Sequence, residues 1–241
     1  LHFYGALCCS FIVANTDEND RKENIMKTPS QDDIVNLLNS LYDQVLHGLP
    51  TSSSCEVLAE SYLQRYIGPQ LAAKKMISRQ IAKCTTSGFV TSLGGLITLP
   101  ATIPANVGSV LYVQLRMIAA LAYIGGYDIH ADEVQTVVYI CLANTSIAEI
   151  CRDAGIKFAD KFALVSLKKL PAEILKKINN AVGFRLLTKF GEKGLINLVD
   201  LLPVAGALVG GAFDLAETKI IANRAYKTFI LDKPDDNISI I

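Results

Sequence analysis

Residues 96–128 read LITLPATIPANVGSVLYVQLRMIAALAYIGGYD, and the fold turns on how this stretch is interpreted. It shows no strand-like alternation of apolar and polar residues. Pro100 and Pro104 break the chain, and proline is tolerated only in the first turn of a helix, so a helix is expected over about Pro104–Ile124. Gly125-Gly126 then ends it. The stretch lies in a longer segment, Cys84 to Leu115, of 32 residues without a charge. By length alone that segment could cross a membrane more than once. Gly94-Gly95, Pro100 and Pro104 instead divide it into a short helix, a proline-rich break and the helix ending at Ile124. Asn106, Gln114 and Arg116 sit on that last helix. A charge in mid-span is costly in lipid, so either Arg116 has a buried partner or the helix is a core or interfacial element, with a true membrane span as the alternative.

Working outward, helix signals dominate on both sides. Ser30 with Asp33 forms a capping box ahead of Ile34, Leu37, Leu38, Leu41 and Val45 at helical spacing, stopped by Gly48-Leu49-Pro50. Ser53 and Glu56 read as a second box opening Val57–Tyr66. Gly68-Pro69 ends one helix and starts the next, Gln70–Cys84, which is amphipathic and basic through Lys74, Lys75, Arg79 and Lys83. Asp132-Glu133 opens a helix running toward Cys151, with acids where the helix dipole favours them. Residues 156–182 give a basic amphipathic pair of helices interrupted at Pro171. Lys157, Lys161, Lys168, Lys169, Lys176 and Lys177 alternate there with Phe158, Phe162, Leu164, Leu167, Leu170, Ile174, Leu175 and Ile178. This is the segment best suited to a membrane surface, and a core helix with a lysine-rich outer face is the competing reading. Gly183, Gly191 and Gly194 punctuate the chain after it, and Leu198–Ile230 forms one or two helices around Pro203. The expected class is all-α: an apolar multi-helix bundle whose central helices are broken by glycine and proline.

Length and composition agree with one such domain. The 241 residues are 51% hydrophobic and 19% charged, and the mean hydropathy is +0.33, between soluble domains and polytopic membrane proteins. The net charge of zero conceals segregation. Residues 1–60 hold nine acids and three bases, whereas 61–127 hold no acid and six bases. Residues 128–155 turn acidic, 156–193 carry nine bases against three acids, and 194–241 close slightly acidic. Two basic blocks therefore adjoin the most apolar stretches, which favours attraction to anionic head groups.

Residues 1–25 are read as an extension, either translated upstream sequence or a disordered acidic segment, and 26–50 as an N-terminal helix. Residues 51–231 form the helical domain and 232–241 a disordered tail. Leu1–Ala14 is apolar but lacks the basic start of a secretory signal. Arg21–Ile25 can be encoded by a purine-rich, ribosome-binding-like run roughly six bases before the codon of Met26, which favours Met26 as the start.

Catalytic and cofactor chemistry find no foothold. The six cysteines include no Cys-x-x-Cys pair, and Cys55, Cys84, Cys141 and Cys151 fall within apolar helical patterns, as small core residues of a reducing compartment do. His2, His47 and His130 have no ligand spacing, so no metal or cofactor is expected. Gly206-x-x-x-Gly210 follows no strand and lacks the lysine of a phosphate loop, and no aromatic-basic pattern points to nucleic acid. It reads as a packing motif that lets two helix backbones approach.

An internal echo links that motif to the opening stretch. At an offset of 103 residues Leu99-Pro100 meets Leu202-Pro203, Gly108 meets Gly211, Arg116 meets Lys219, Ile118-Ala119 meets Ile221-Ala222, and Ala122-Tyr123 meets Ala225-Tyr226. A duplication predicts that the two long helices pack together through Gly108, Gly206, Gly210 and Gly211. Buried charges must be paired, so Arg116 is expected to meet Asp214 or Glu217, with Gln114 beside them, as a structural clasp or the floor of a pocket.

Residues 96–128 and the later block GFRLLTKFGEKGLINLVDLLPVAGALVGGAFD (183–214) together resemble the signature blocks of the EcsC family, with the resemblance extending over about residues 55–230. That resemblance implies a bacterial α-helical protein linked with an ABC-transporter locus and brings no catalytic residues with it. The expected function is non-enzymatic: a membrane-associated accessory protein on the cytoplasmic side, peripheral to the inner face, meeting an anionic membrane surface or a membrane protein partner. The alternative is a soluble protein that binds a lipid or other hydrophobic ligand.

Overall fold

A computed structural model describes residues 30–84, 105–156, 170–190 and 206–232, with side chains at 84, 105–107, 189–190 and 206–215 excepted. Among these residues the chain is all-helical. The helices are α1 (Gln31–His47), α2 (Cys55–Leu63), α3 (Pro69–Cys84), α4 (Ala105–Ile124), α5 (Asp132–Leu142), α6 (Ile147–Asp153), α7 (Ala172–Phe190) and α8 (Gly206–Tyr226). α8 continues through a π-helical turn, Lys227–Leu231.

The described helix of the stretch that decides the fold, α4, forms the centre of the bundle. α4 packs against α1, α2, α3, α5 and α8. From Leu111 to Ala122 every residue is buried. A helix that is apolar all round is stable only with neighbours on every side, and here protein provides them. Its 20 residues rise about 30 Å. Even so, among the described residues no single helix is long and apolar enough to cross a membrane, and only the bent pair α5–α6 passes by length and composition. The proline-rich segment before α4 lies outside the described residues.

α1 is built into the same core. Ile34, Leu37, Leu38, Leu41 and Val45 are buried, the helix packs on α4 and α7, and the Tyr42 hydroxyl donates to the Ile129 carbonyl at 2.7 Å. Both halves of its capping box are formed: the Ser30 hydroxyl accepts from the Asp33 amide, and the Asp33 carboxylate accepts from the Ser30 amide. At the other end of α4, a Cβ on Gly125 would collide with the Phe229 carbonyl, so the π-helical turn can press there only because the residue is glycine.

Three local expectations need correction. α2 is capped by Ser54, whose hydroxyl accepts from the Val57 amide, because Ser53 is committed to Arg116 of α4. α2 also ends at Leu63, short of Tyr66. The helix expected from Asp132 toward Cys151 breaks after Leu142, and α6 departs at 94°. Asn144 adopts φ +52°, and Ser146 with Glu149 forms a new capping box. The signal is present as Ser-x-x-Glu but is masked by the apolar run around it. Lastly, Gly183 does not interrupt a helix. It lies within α7, where a Cβ would stand 2.7 Å from Val35 Cγ2, so it is a point of close approach between α1 and α7.

Candidate functional site

Gln114 and Arg116 are the two polar side chains buried in the middle of α4, at 2% and 4% exposure. Two residues apart on a helix means roughly 200° of rotation, so they face opposite neighbours. The Gln114 amide donates to Thr218 Oγ1 on α8 at 3.0 Å. The Arg116 guanidinium turns toward the start of α2, with Nε donating to the Ser53 carbonyl at 2.8 Å and Nη2 to Ser53 Oγ at 2.9 Å. The expected partner α8 is therefore met by Gln114, while Arg116 clasps α2. Glu217 is half-buried one residue before Thr218, and the side chain of Asp214 lies outside the described residues. Burial holds the Arg116 pKa below the usual arginine range, an effect opposed by nearby Tyr112, Cys55 and Tyr62.

α4 and α8 do pack together, as the echo requires. Their bounds differ by 101 residues at the start and 102 at the end, close to the sequence offset of 103. Gly108 is buried; its contact with Gly206, Gly210 and Gly211 lies outside the described residues. The two echoed cations live differently, since Arg116 is buried and Lys219 is exposed.

The basic segments divide between described and undescribed residues. Lys157, Lys161, Lys168 and Lys169 lie outside them. Lys176 and Lys177 are exposed on α7, whose Leu175, Ile178, Val182 and Leu186 are buried. α3 is the more basic face. It buries Ala72, Ala73, Met76 and Gln80 and turns Lys74, Lys75 and Arg79 outward. Lys83, partly buried at its end, has its pKa pulled down by desolvation and then by Arg116 and Arg79. Lys74 Nζ lies 5.9 Å from the Tyr226 ring centroid, which joins the α3 surface to that of α8.

A cleft of about 510 Å³ opens between α1, α5 and α7. Asp32, Asn39, Asp132, Gln135, Lys176 and Asn179 are among its lining residues, so it is polar and remote from Arg116. It does not supply the apolar cavity floored by Arg116 that the ligand-binding alternative calls for. Asn39 and Gln135 are already tied to the Tyr139 hydroxyl, at 3.0 and 2.6 Å.

Thiol and metal chemistry find little support among the described residues. Burial pushes the Cys55 and Cys141 thiols up to about 12 and raises that of Cys151, so none is a thiolate nucleophile at neutral pH. No group of three or more His, Cys, Asp or Glu side chains there could hold a metal ion. His47 pairs with Asp43, and His130 with Glu56.

Sequence reasoning missed Ser53 and Thr218 as the partners of the buried polar pair. Thr218 lies 104 residues from Gln114, almost on the echo, so an offset of one would have found it. Ser53 carries no comparable signal. Comparison with known proteins adds no relative: no family model, no curated protein and no solved structure matches the chain.

Proposed function

We propose that the protein is a non-enzymatic, peripheral membrane accessory protein of the EcsC type, working on the cytoplasmic side beside anionic lipid or a membrane protein such as a transporter. The observation that carries this reading is the outward face of α3. Lys74, Lys75 and Arg79 are exposed there, within a run from Ser61 to Tyr127 that contains no acid at all. Exposed cations of this kind attract anionic head groups at about 1 kcal/mol per cation near the surface. The apolar residues of α4 from Leu111 to Ala122 are meanwhile taken up by packing, since other helices enclose them.

The test is co-sedimentation of the full chain with neutral phosphatidylcholine vesicles and with vesicles containing phosphatidylglycerol, at low and high salt. Binding to the anionic vesicles only, released at high salt, is expected, because screening shortens from about 10 Å at 0.1 M to about 3 Å at 1 M. Retention that survives salt and alkaline wash would contradict the peripheral reading, and so would indifference to both vesicle types.

A further inference from the structure

Three apolar side chains face solvent where α2 passes into α3. Leu63 is 37% exposed, Ile67 96% and Leu71 43%. They recur at every fourth residue across the Gly68-Pro69 turn. Gly68 has φ +82°, a conformation that favours glycine, and Pro69 opens α3 at a position with no helical donor to lose. The elbow is fixed to the body of the protein. Tyr62 is buried at its base and stacks on Tyr66, with ring centroids 6.0 Å apart and planes at 21°.

The same spacing continues up α3 as Lys75, Arg79 and Lys83, each step rising about 6 Å, and Arg65 lies within the elbow itself. Both acids of α2 are already bonded within the protein. Glu56 meets His130 at 3.1 Å, and Glu60 accepts from the Tyr123 hydroxyl at 2.9 Å. An apolar tip with a collar of long cations one turn behind it matches the layering of an anionic bilayer, in which apolar groups enter about 5–10 Å and cations stay with the phosphates. The tip is convex, with one isoleucine almost wholly exposed. A fluid phase can cover it without a complementary pocket, whereas a folded partner would have to supply one.

We infer that the α2–α3 elbow is the point of entry into an anionic membrane, with Ile67, Leu63 and Leu71 seated at the headgroup–acyl boundary and Arg65, Lys75 and Arg79 on lipid phosphates. This rests on the peripheral membrane reading and names its contact. The chain contains no tryptophan, so Ile67→Trp and Phe184→Trp each introduce a single reporter. Phe184, on α7, is 55% exposed and serves as the control.

With phosphatidylglycerol vesicles carrying brominated acyl chains, the reporter at 67 is expected to blue-shift and be quenched, and the reporter at 184 to do neither. In parallel, Ile67→Asp is expected to weaken vesicle partitioning on the order of tenfold with an unchanged melting temperature, since the side chain touches little of the fold. Quenching at 184 but not at 67, or wild-type partitioning by Ile67→Asp, overturns the elbow and leaves the peripheral reading standing. Failure of the wild-type chain to bind any anionic vesicle removes both. Self-association that Ile67→Asp abolishes, without quenching at 67, assigns the tip to a second copy and also overturns the proposal.

Discussion

Between Leu111 and Ala122 every residue of α4 is buried, whereas α8 from Ala216 to Tyr226 alternates between core and solvent. Thr218, Ile221, Ala222 and Ala225 face inward there, and Lys219, Ile220 and Asn223 face outward. The two segments come from the echoed parts of the chain and share an Ile-Ala pair, the start of an Ala-Tyr pair (Ala122 and Ala225) and a cation at matched positions, Arg116 and Lys219. Position in the bundle separates them. α4 is surrounded, so Arg116 must be satisfied internally, while α8 from Ala216 to Tyr226 keeps one face open to solvent and leaves Lys219 exposed. A repeated pattern thus fixes that two helices form and meet, and the number of neighbours decides what each residue does.

Truncation at matched positions should separate the two helices most strongly. Ile118→Ala and Ile221→Ala each remove a fully buried side chain and should each cost about 2–5 kcal/mol, whereas Ile220→Ala, at 51% exposure, should stay within about 0.5 kcal/mol. Denaturant melts of the three variants check it, and equal losses at 220 and 221 would erase the outward face of α8.

A smaller effect is expected at the cations. Arg116→Ala strips Ser53 of its partner and leaves a cavity, for about 2–3 kcal/mol, against about 0.5 kcal/mol or less for Lys219→Ala. Equal costs from the same melts would mean that the echo extends to environment.

The contact that joins the two helices is weaker again. Gln114→Leu or Thr218→Val alone should cost about 1–2 kcal/mol by orphaning a buried group, and the double variant less than their sum. Additive losses would show that the two side chains do not act as a pair.

The smallest effect belongs to the α5–α6 break, which α8 touches where Arg224 Nε donates to Asn144 Oδ1 at 2.9 Å. Hydrogen bonds from the Ser146 backbone, Thr145 and the Ser146 side chain hold the Glu149 carboxyl at about 2, with a further contribution from Arg185. A folded-state pKa below the ordinary value of 4.5 means a contribution fully present above 4.5 and lost as pH falls toward 2. Stability of Glu149→Gln relative to wild type should therefore converge between those values, and a difference that persists at the acid end would place its cause elsewhere.

Much of the fold is legible in the sequence because helix ends are written locally. Ser30-Asp33, Gly68-Pro69, Gly125-Gly126 and Pro171 each act through their own backbone, so the boundaries they predict need no knowledge of neighbours. That α4 and α8 pack together is also readable, from the echo. Orientation is not. Nothing in the sequence tells Arg116 to turn to Ser53, because the choice depends on which helix covers which face. The same holds at Ser53, whose capping role is displaced to Ser54 by that long-range contact. Ile67 escapes sequence reasoning for a related reason: an isoleucine beside Gly68-Pro69 is conspicuous only once its exposure is known.

The measurement that bears most directly on the account is amide hydrogen exchange along the full chain, free and with phosphatidylglycerol vesicles. If α4 is the core of a protein that meets membranes from outside, residues 111–122 exchange slowest in both conditions and to the same extent, while slowing on vesicle addition is confined to the surface. If residues 111–122 exchange rapidly in water and gain protection only with vesicles, the bilayer is the proper neighbour of α4 and the account is wrong.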